Sequence, residues 1–132
     1  MNTDEAKILI LTHAGLIDAP QAETSFIGCL RPFRGLREEN FHQIMEALII
    51  LTPMLQQERV DRELLSALWT TCQLARQWGV DSSGMLVRNN LLSNEDQTAL
   101  KYWIDTISWA VFFILQKGSI EESMSYKRQE KS

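Results

Sequence analysis

"FHQIMEALIILTPML", Phe41 to Leu55, is the stretch that decides the fold class. Phe41, Ile44, Met45, Leu48, Leu51 and Leu55 recur at steps of three and four, which gathers them on one side of an α-helix and does not fit the alternation of a half-buried strand. Ile49 and Ile50 widen that apolar face. Pro53 has no amide proton to give and crowds the preceding turn, so the helix is expected to end or kink near Thr52. Upstream, Glu38 and Glu39 suit a first helical turn, whereas Asn40 followed by Gln43 resembles a capping box. Two starts, about a turn apart, are therefore open.

The same period continues on both sides. Asp61 offers an N-cap to a helix with Leu64, Leu65, Leu68, Trp69, Cys72, Ala75 and Trp78 inward, and Gly79 is placed to end it. After a loop, "DSSGMLVRNN", with one short helix expected at 85–89, Ser93 with Asp96 announces a last long helix over about 94–117. Its inner positions are Leu100, Trp103, Ile104, Ile107, Val111, Ile114 and Leu115. Trp109, Phe112 and Phe113 lie partly off that stripe, so this helix is either central to the bundle or part of an interface, for which a homodimer is one form. At the other end, Thr3 is read as the cap of a first helix over about 4–14, stopped by Gly15.

These elements predict an all-α fold: a single compact bundle of four to five helices, three of them long and amphipathic. The domain is expected to span 1–117, followed by a polar tail, 118–132, expected to be mobile or loosely helical. A length of 132 residues with 45% hydrophobic and 23% charged content is ordinary for one globular domain. Asp4 and Glu5 stand where a secretory signal would be basic. The apolar run 103–115 is shorter than the roughly 20 residues of a spanning helix. A soluble, cytoplasmic protein without membrane contact is the expectation.

Several chemistries lack their residues. With Cys29 and Cys72 far apart and only His13 and His42, a structural zinc site has no ligand set. Glu39 and His42 form one Glu-x-x-His unit, but Ile10 stands where the partner unit at His13 would need its glutamate, so a di-iron site fails on ligand count. His42 is expected to pair with Glu46, four residues on. No nucleophile elbow, Walker or Rossmann glycine pattern, or calcium loop is present. No metal or cofactor is expected. A net charge of -4 and a pI of 5.2 disfavour general nucleic-acid binding.

The chemically distinctive stretch is "CLRPFRGLREEN", Cys29 to Asn40, which carries Arg31, Arg34 and Arg37 with no acidic residue from Thr24 through Arg37. Pro32 and Gly35 make it a loop, with Pro32 expected at the second position of a type I turn. Arginines beside Cys29 would lower its pKa and make it a candidate reactive thiol. Arginine's planar fork suits carboxylate or phosphate, and aromatic and arginine side chains dominate interface hot spots. Arg31, Phe33, Arg34 and Arg37 are therefore the expected partner- or anion-binding residues. The protein is expected to be a non-catalytic protein-binding module, a small bacterial regulatory, adaptor or immunity-type protein.

"REENFH", Arg37 to His42, also resembles the Arg-x4-His motif of HEPN-type ribonucleases, small all-helical domains whose paired subunits bring arginine and histidine together to cleave RNA. The resemblance covers these two residues and implies, as the alternative, a metal-independent ribonuclease. His42 would then do acid/base work, and Arg37 would steady charge on phosphorus. Glu38 departs from the small polar residue common after the arginine. On a regular helix, residues five apart point about 140° from one another.

Overall fold

The computed structural model describes residues 1–127. Among them are four helices of more than two turns, α1 (Thr3–His13), α2 (Glu38–Leu55), α3 (Arg62–Gly79) and α5 (Asn94–Leu115), with single-turn helices α4 (Met85–Arg88) and α6 (Ile120–Ser123). A 3-10 turn covers Ala22–Thr24. No strand occurs among the described residues, and the helices pack together as one all-α bundle. α1 packs on α2 and α3, and α5 packs on the same two, so α1 and α5 face each other across the bundle.

The caps explain most of the boundaries. Asp61 Oδ1 accepts from the Leu64 N–H at 3.1 Å, and Ser93 Oγ accepts from the Asp96 N–H at 3.0 Å, as the sequence predicts. α1 starts one residue earlier than expected. Asn2, not Thr3, is its cap, in a reciprocal box with Glu5. α2 begins at Glu38 with no side-chain cap, so Asn40 is freed from the capping role and is buried instead.

Two helix readings need correction. α2 does not stop near Thr52: it runs through Pro53 to Leu55, because Leu51 and Leu55 are both buried and burial on both sides of the proline outweighs one missing backbone bond. Trp69 does not point inward. The buried stripe of α3 is Leu64, Ala67, Leu68, Thr71 and Ala75, and Trp69 lies about 100° off it. Ala67, Thr71 and Ala75 keep that stripe narrow. At Gly79 the approach to α5 is so tight that a Cβ would run into Leu100 Cδ2.

The junctions between helices are polar. Lys7 Nζ of α1 reaches Asp61 Oδ2 at 2.7 Å and Glu63 Oε1 at 3.1 Å, while Arg76 Nη2 of α3 meets Asp105 Oδ1 of α5 at 2.8 Å. Gln56, following α2, donates through Nε2 to the Ile114 and Gly118 carbonyls, and its own carbonyl accepts from Lys117 Nζ. The Gly118 carbonyl beyond α5 thereby gains a partner, and the Ile114 carbonyl, which already accepts from the Lys117 N–H, gains a second.

The described part of the stretch beyond 117 folds back on the bundle. Ile120 is buried, and Tyr126 packs its ring edge-on to Phe41 with centroids 6.5 Å apart. Residues 128–132 of the tail lie outside the described residues.

Candidate functional site

The three arginines share a segment but not a site. The Arg31–Pro32 peptide is cis, and Leu30 and Phe33 form an isolated antiparallel bridge, so Pro32 occupies the third position of a tight turn rather than the second position of a type I turn. Arg31 lies over the Trp78 ring, 5.5 Å from its centroid, in cation–π geometry. Arg34 Nη1 donates to the Gly28 carbonyl at 2.7 Å, tying the loop to itself. Phe33 is half-buried against the core. Gly35, at φ +97°, turns the chain so that Arg37 leaves on a different course. Among the described residues none of the three pairs with a carboxylate.

Cys29 beneath this loop is not a poised thiolate. It is buried, and burial pushes its thiol up, while Arg37 and Arg34 pull the other way without reversing the shift. Among the described residues, no group of three or more His, Cys, Asp or Glu is gathered to hold a metal.

None of the described cavities is lined by both Arg37 and His42. His42 Nδ1 is 2.9 Å from Tyr126 Oη and Nε2 is 3.8 Å from Glu38 Oε1, so the carboxylate it meets lies one turn before it rather than at Glu46. Arg37 instead lines a cavity of about 630 Å3 between α1, the 21–25 segment and the first turns of α2. Among the described residues, five polar side chains belong to buried residues, and four of them, Thr12, His13, Ser25 and Asn40, line this one cavity.

His13 organises it. The Phe26 N–H donates to Nδ1 at 2.9 Å, which requires Nδ1 to be unprotonated, and the remaining proton on Nε2 is shared with Gln43 Oε1 at 3.0 Å. Gln43 Nε2 in turn donates to Glu39 Oε1 at 3.2 Å. At 4% exposure, desolvation lowers the His13 pKa to about 4, with the Gln43 bond working in the opposite direction. The imidazole is thus a neutral strut joining α1, the loop and α2. Asn40 donates from Nδ2 to the Thr24 carbonyl at 2.8 Å and toward Cys29 Sγ at 3.9 Å, which leaves its Oδ1 without an intramolecular donor.

A second surface lies on the far side of the bundle. Trp109, Phe112 and Phe113 form a mutual cluster with ring centroids 5.4 to 5.9 Å apart. Tyr102 is 63% exposed, Trp109 55% and Phe112 47%. Leu115, read as an inner position, is exposed as well. α3 and α5 run antiparallel: Gly79 meets Leu100, Arg76 meets Asp105, and Cys72 lies beside Ser108. Continuing that register two turns beyond the Arg76–Asp105 pair brings Trp69, 66% exposed, level with Phe112 on the same face. A groove of about 680 Å3 runs beside these rings, bounded by Tyr102, Thr106, Trp109 and Phe113 on one side and residues 123–127 on the other.

α5 is by length and composition apolar enough to cross a membrane, with a mean hydropathy of 1.2 over its most apolar window, yet only 33% of that window is buried in the bundle. Its apolar surface exceeds what two neighbouring helices cover. Sequence reasoning found Trp109, Phe112 and Phe113 as a surplus, but missed Trp69 because a tryptophan one step off the stripe was counted inside it. The polar cavity gave one local signal, a histidine on the apolar face of α1. No known protein family, curated protein or solved structure matches the chain.

Proposed function

We propose that the protein is a non-catalytic protein-binding module of the regulatory, adaptor or immunity kind, and that the aromatic face of α5 is its contact surface. The observation that carries this reading is the exposure of Trp69, Tyr102, Trp109 and Phe112, with Trp109 and Phe112 in ring contact and Tyr102 and Trp109 lining one groove. With about 150–250 Å2 for a whole aromatic side chain, their exposed fractions amount to roughly 450 Å2, over half of the about 800 Å2 each partner buries in a standard interface. Tryptophan and tyrosine also supply contact area at small entropy cost. A second copy of the chain is the partner that this face can itself provide, since a helix face packs on its own copy about a two-fold axis.

Sedimentation equilibrium tests the reading. A dimer is expected, and the Trp109→Glu/Phe112→Glu double variant should be monomeric with an unchanged helical spectrum. A wild-type chain that stays monomeric at high concentration would remove the second copy as partner. Flotation with lipid vesicles, lost in the same variant, would reassign the face to a membrane surface. The ribonuclease alternative draws support only from the Arg37–His42 spacing. His42→Ala leaves binding intact on the present reading and abolishes RNA cleavage on the other.

A further inference from the structure

The cavity between α1 and α2 is a separate feature from the aromatic face, and the two arise from different parts of the bundle. It concentrates buried polar groups as a binding pocket does, and its size falls in the usual range for small-molecule sites. Most of those groups are already satisfied. Thr12 donates to the Ile8 carbonyl, Ser25 bridges the Ala22 carbonyl and the Gly28 N–H, and His13 is held at both nitrogens.

Among the groups that stay open, three lie together at the start of α2. The Arg37 guanidinium has no carboxylate partner among the described residues and is exposed on the cavity rim. Asn40 is 7% exposed and its Oδ1 receives no donor. Among the described residues no buried side-chain polar atom is sealed without a partner, so that oxygen keeps some accessible surface, and Asn40 lines the cavity. Glu39 receives one hydrogen bond on Oε1, and its other oxygen is unused. Across from them α1 contributes Ile8 and Leu9.

We propose that this cavity binds a small zwitterion of the amino-acid class, with its carboxylate on Arg37, its ammonium on Asn40 Oδ1 and Glu39, and an apolar side chain against Ile8 and Leu9. A guanidinium fork matches a carboxylate in two parallel bonds, while an amide oxygen and a carboxylate together match the three donors of an ammonium. Neither a simple anion nor a simple cation satisfies both sets. His13 positions Gln43, and through it Glu39, without touching the ligand.

Titration of the full chain with free leucine, methionine and phenylalanine, followed by amide chemical shifts, tests the site. Saturable shifts are expected at Glu39, Asn40 and Gln43. Arg37→Gln should weaken binding by about tenfold or more, as expected for loss of a charge-assisted pair. Leucinamide, which lacks the carboxylate, and N-acetylleucine, which lacks the ammonium, should each bind correspondingly worse. Because Arg37 is an exposed loop residue, thermal unfolding of the variant should match the parent and separate lost binding from lost fold. Absence of shifts with all three amino acids would overturn the proposal, as would binding that Arg37→Gln leaves unchanged or that leucinamide and N-acetylleucine match.

Discussion

His13 is held neutral between two elements, and that arrangement sets a pH dependence. Its pKa falls from 6.5 in the unfolded chain to about 4 in the fold, so the unfolded state takes up a proton first as pH drops. Stability is complete above pH 6.5 and lost progressively down to about pH 4. At about 1.4 kcal/mol per pKa unit the loss is on the order of 3 kcal/mol. Urea midpoints measured from pH 7 to pH 4 should fall across this window, and His13→Gln should flatten the fall while keeping an acceptor for the Phe26 N–H. Asp61 and Asp105 act lower. Bonds from Lys7 and Leu64, and from Arg76, respectively, hold these carboxyls below the usual range, so their contribution is lost only as pH falls through and below 3.8. Asp61 also combines two roles that substitution separates. Asp61→Ala should cost about 1–2 kcal/mol, from loss of the cap, and Asp61→Asn only a few tenths, from loss of the ion pair alone, in chemical denaturation.

At the scale of elements, the α3–α5 contact shows what periodicity carries and what it omits. The buried stripe of α3 is legible in Leu64, Leu68 and Ala75, yet its close approach to α5 depends on Gly79, whose smallness has no hydrophobic signature. Gly79→Ala presses a methyl group onto Leu100. Overpacking costs about 1–3 kcal/mol and improved helix propensity returns at most about 1, so net destabilisation of about 1 kcal/mol is expected. Leu100→Val should recover part of that loss in the double variant, a coupling that a thermodynamic cycle measures directly. The same distinction explains Pro53. A local rule sees a missing N–H, but the rule that prevails is burial of Leu51 and Leu55 on either side.

For the molecule as a whole, the polar cavity and the aromatic face divide the bundle between α1–α2 and α3–α5. α1 and α5 are opposite each other, so neither surface competes with the other for area. Exposed rings contribute little to folding of the single chain, so at concentrations low enough for the parent to be monomeric the Trp109→Glu/Phe112→Glu variant should unfold within about 0.5 kcal/mol of it. A larger loss in the monomeric state would mean that these rings cover the core rather than await a partner. The exposed tryptophans make the association directly observable, because Trp109 fluorescence should shift to the blue when a second copy covers it. That shift should grow with protein concentration and vanish in Phe112→Glu, which keeps Trp109 as the reporter.

The amino-acid sequence by itself determined the helices. Spacings in α2, α3 and α5, the caps at Asp61 and Ser93, and the absence of any alternating segment all act through neighbours within about a turn of the chain, and such local rules can be read without knowing the fold. It also marked the arginine segment as lacking nearby acids. Only the tertiary structure decided where those arginines go: Arg31 onto Trp78, Arg34 onto Gly28, and Arg37 into a cavity shared with His13, which comes from another helix. Likewise Trp69 and Phe112 lie 43 positions apart and share a face through the antiparallel register of α3 and α5. The physical reason is that a broad apolar helix leaves open which of its sides is covered. That depends on how many neighbours it has and how closely their smallest residues let them approach.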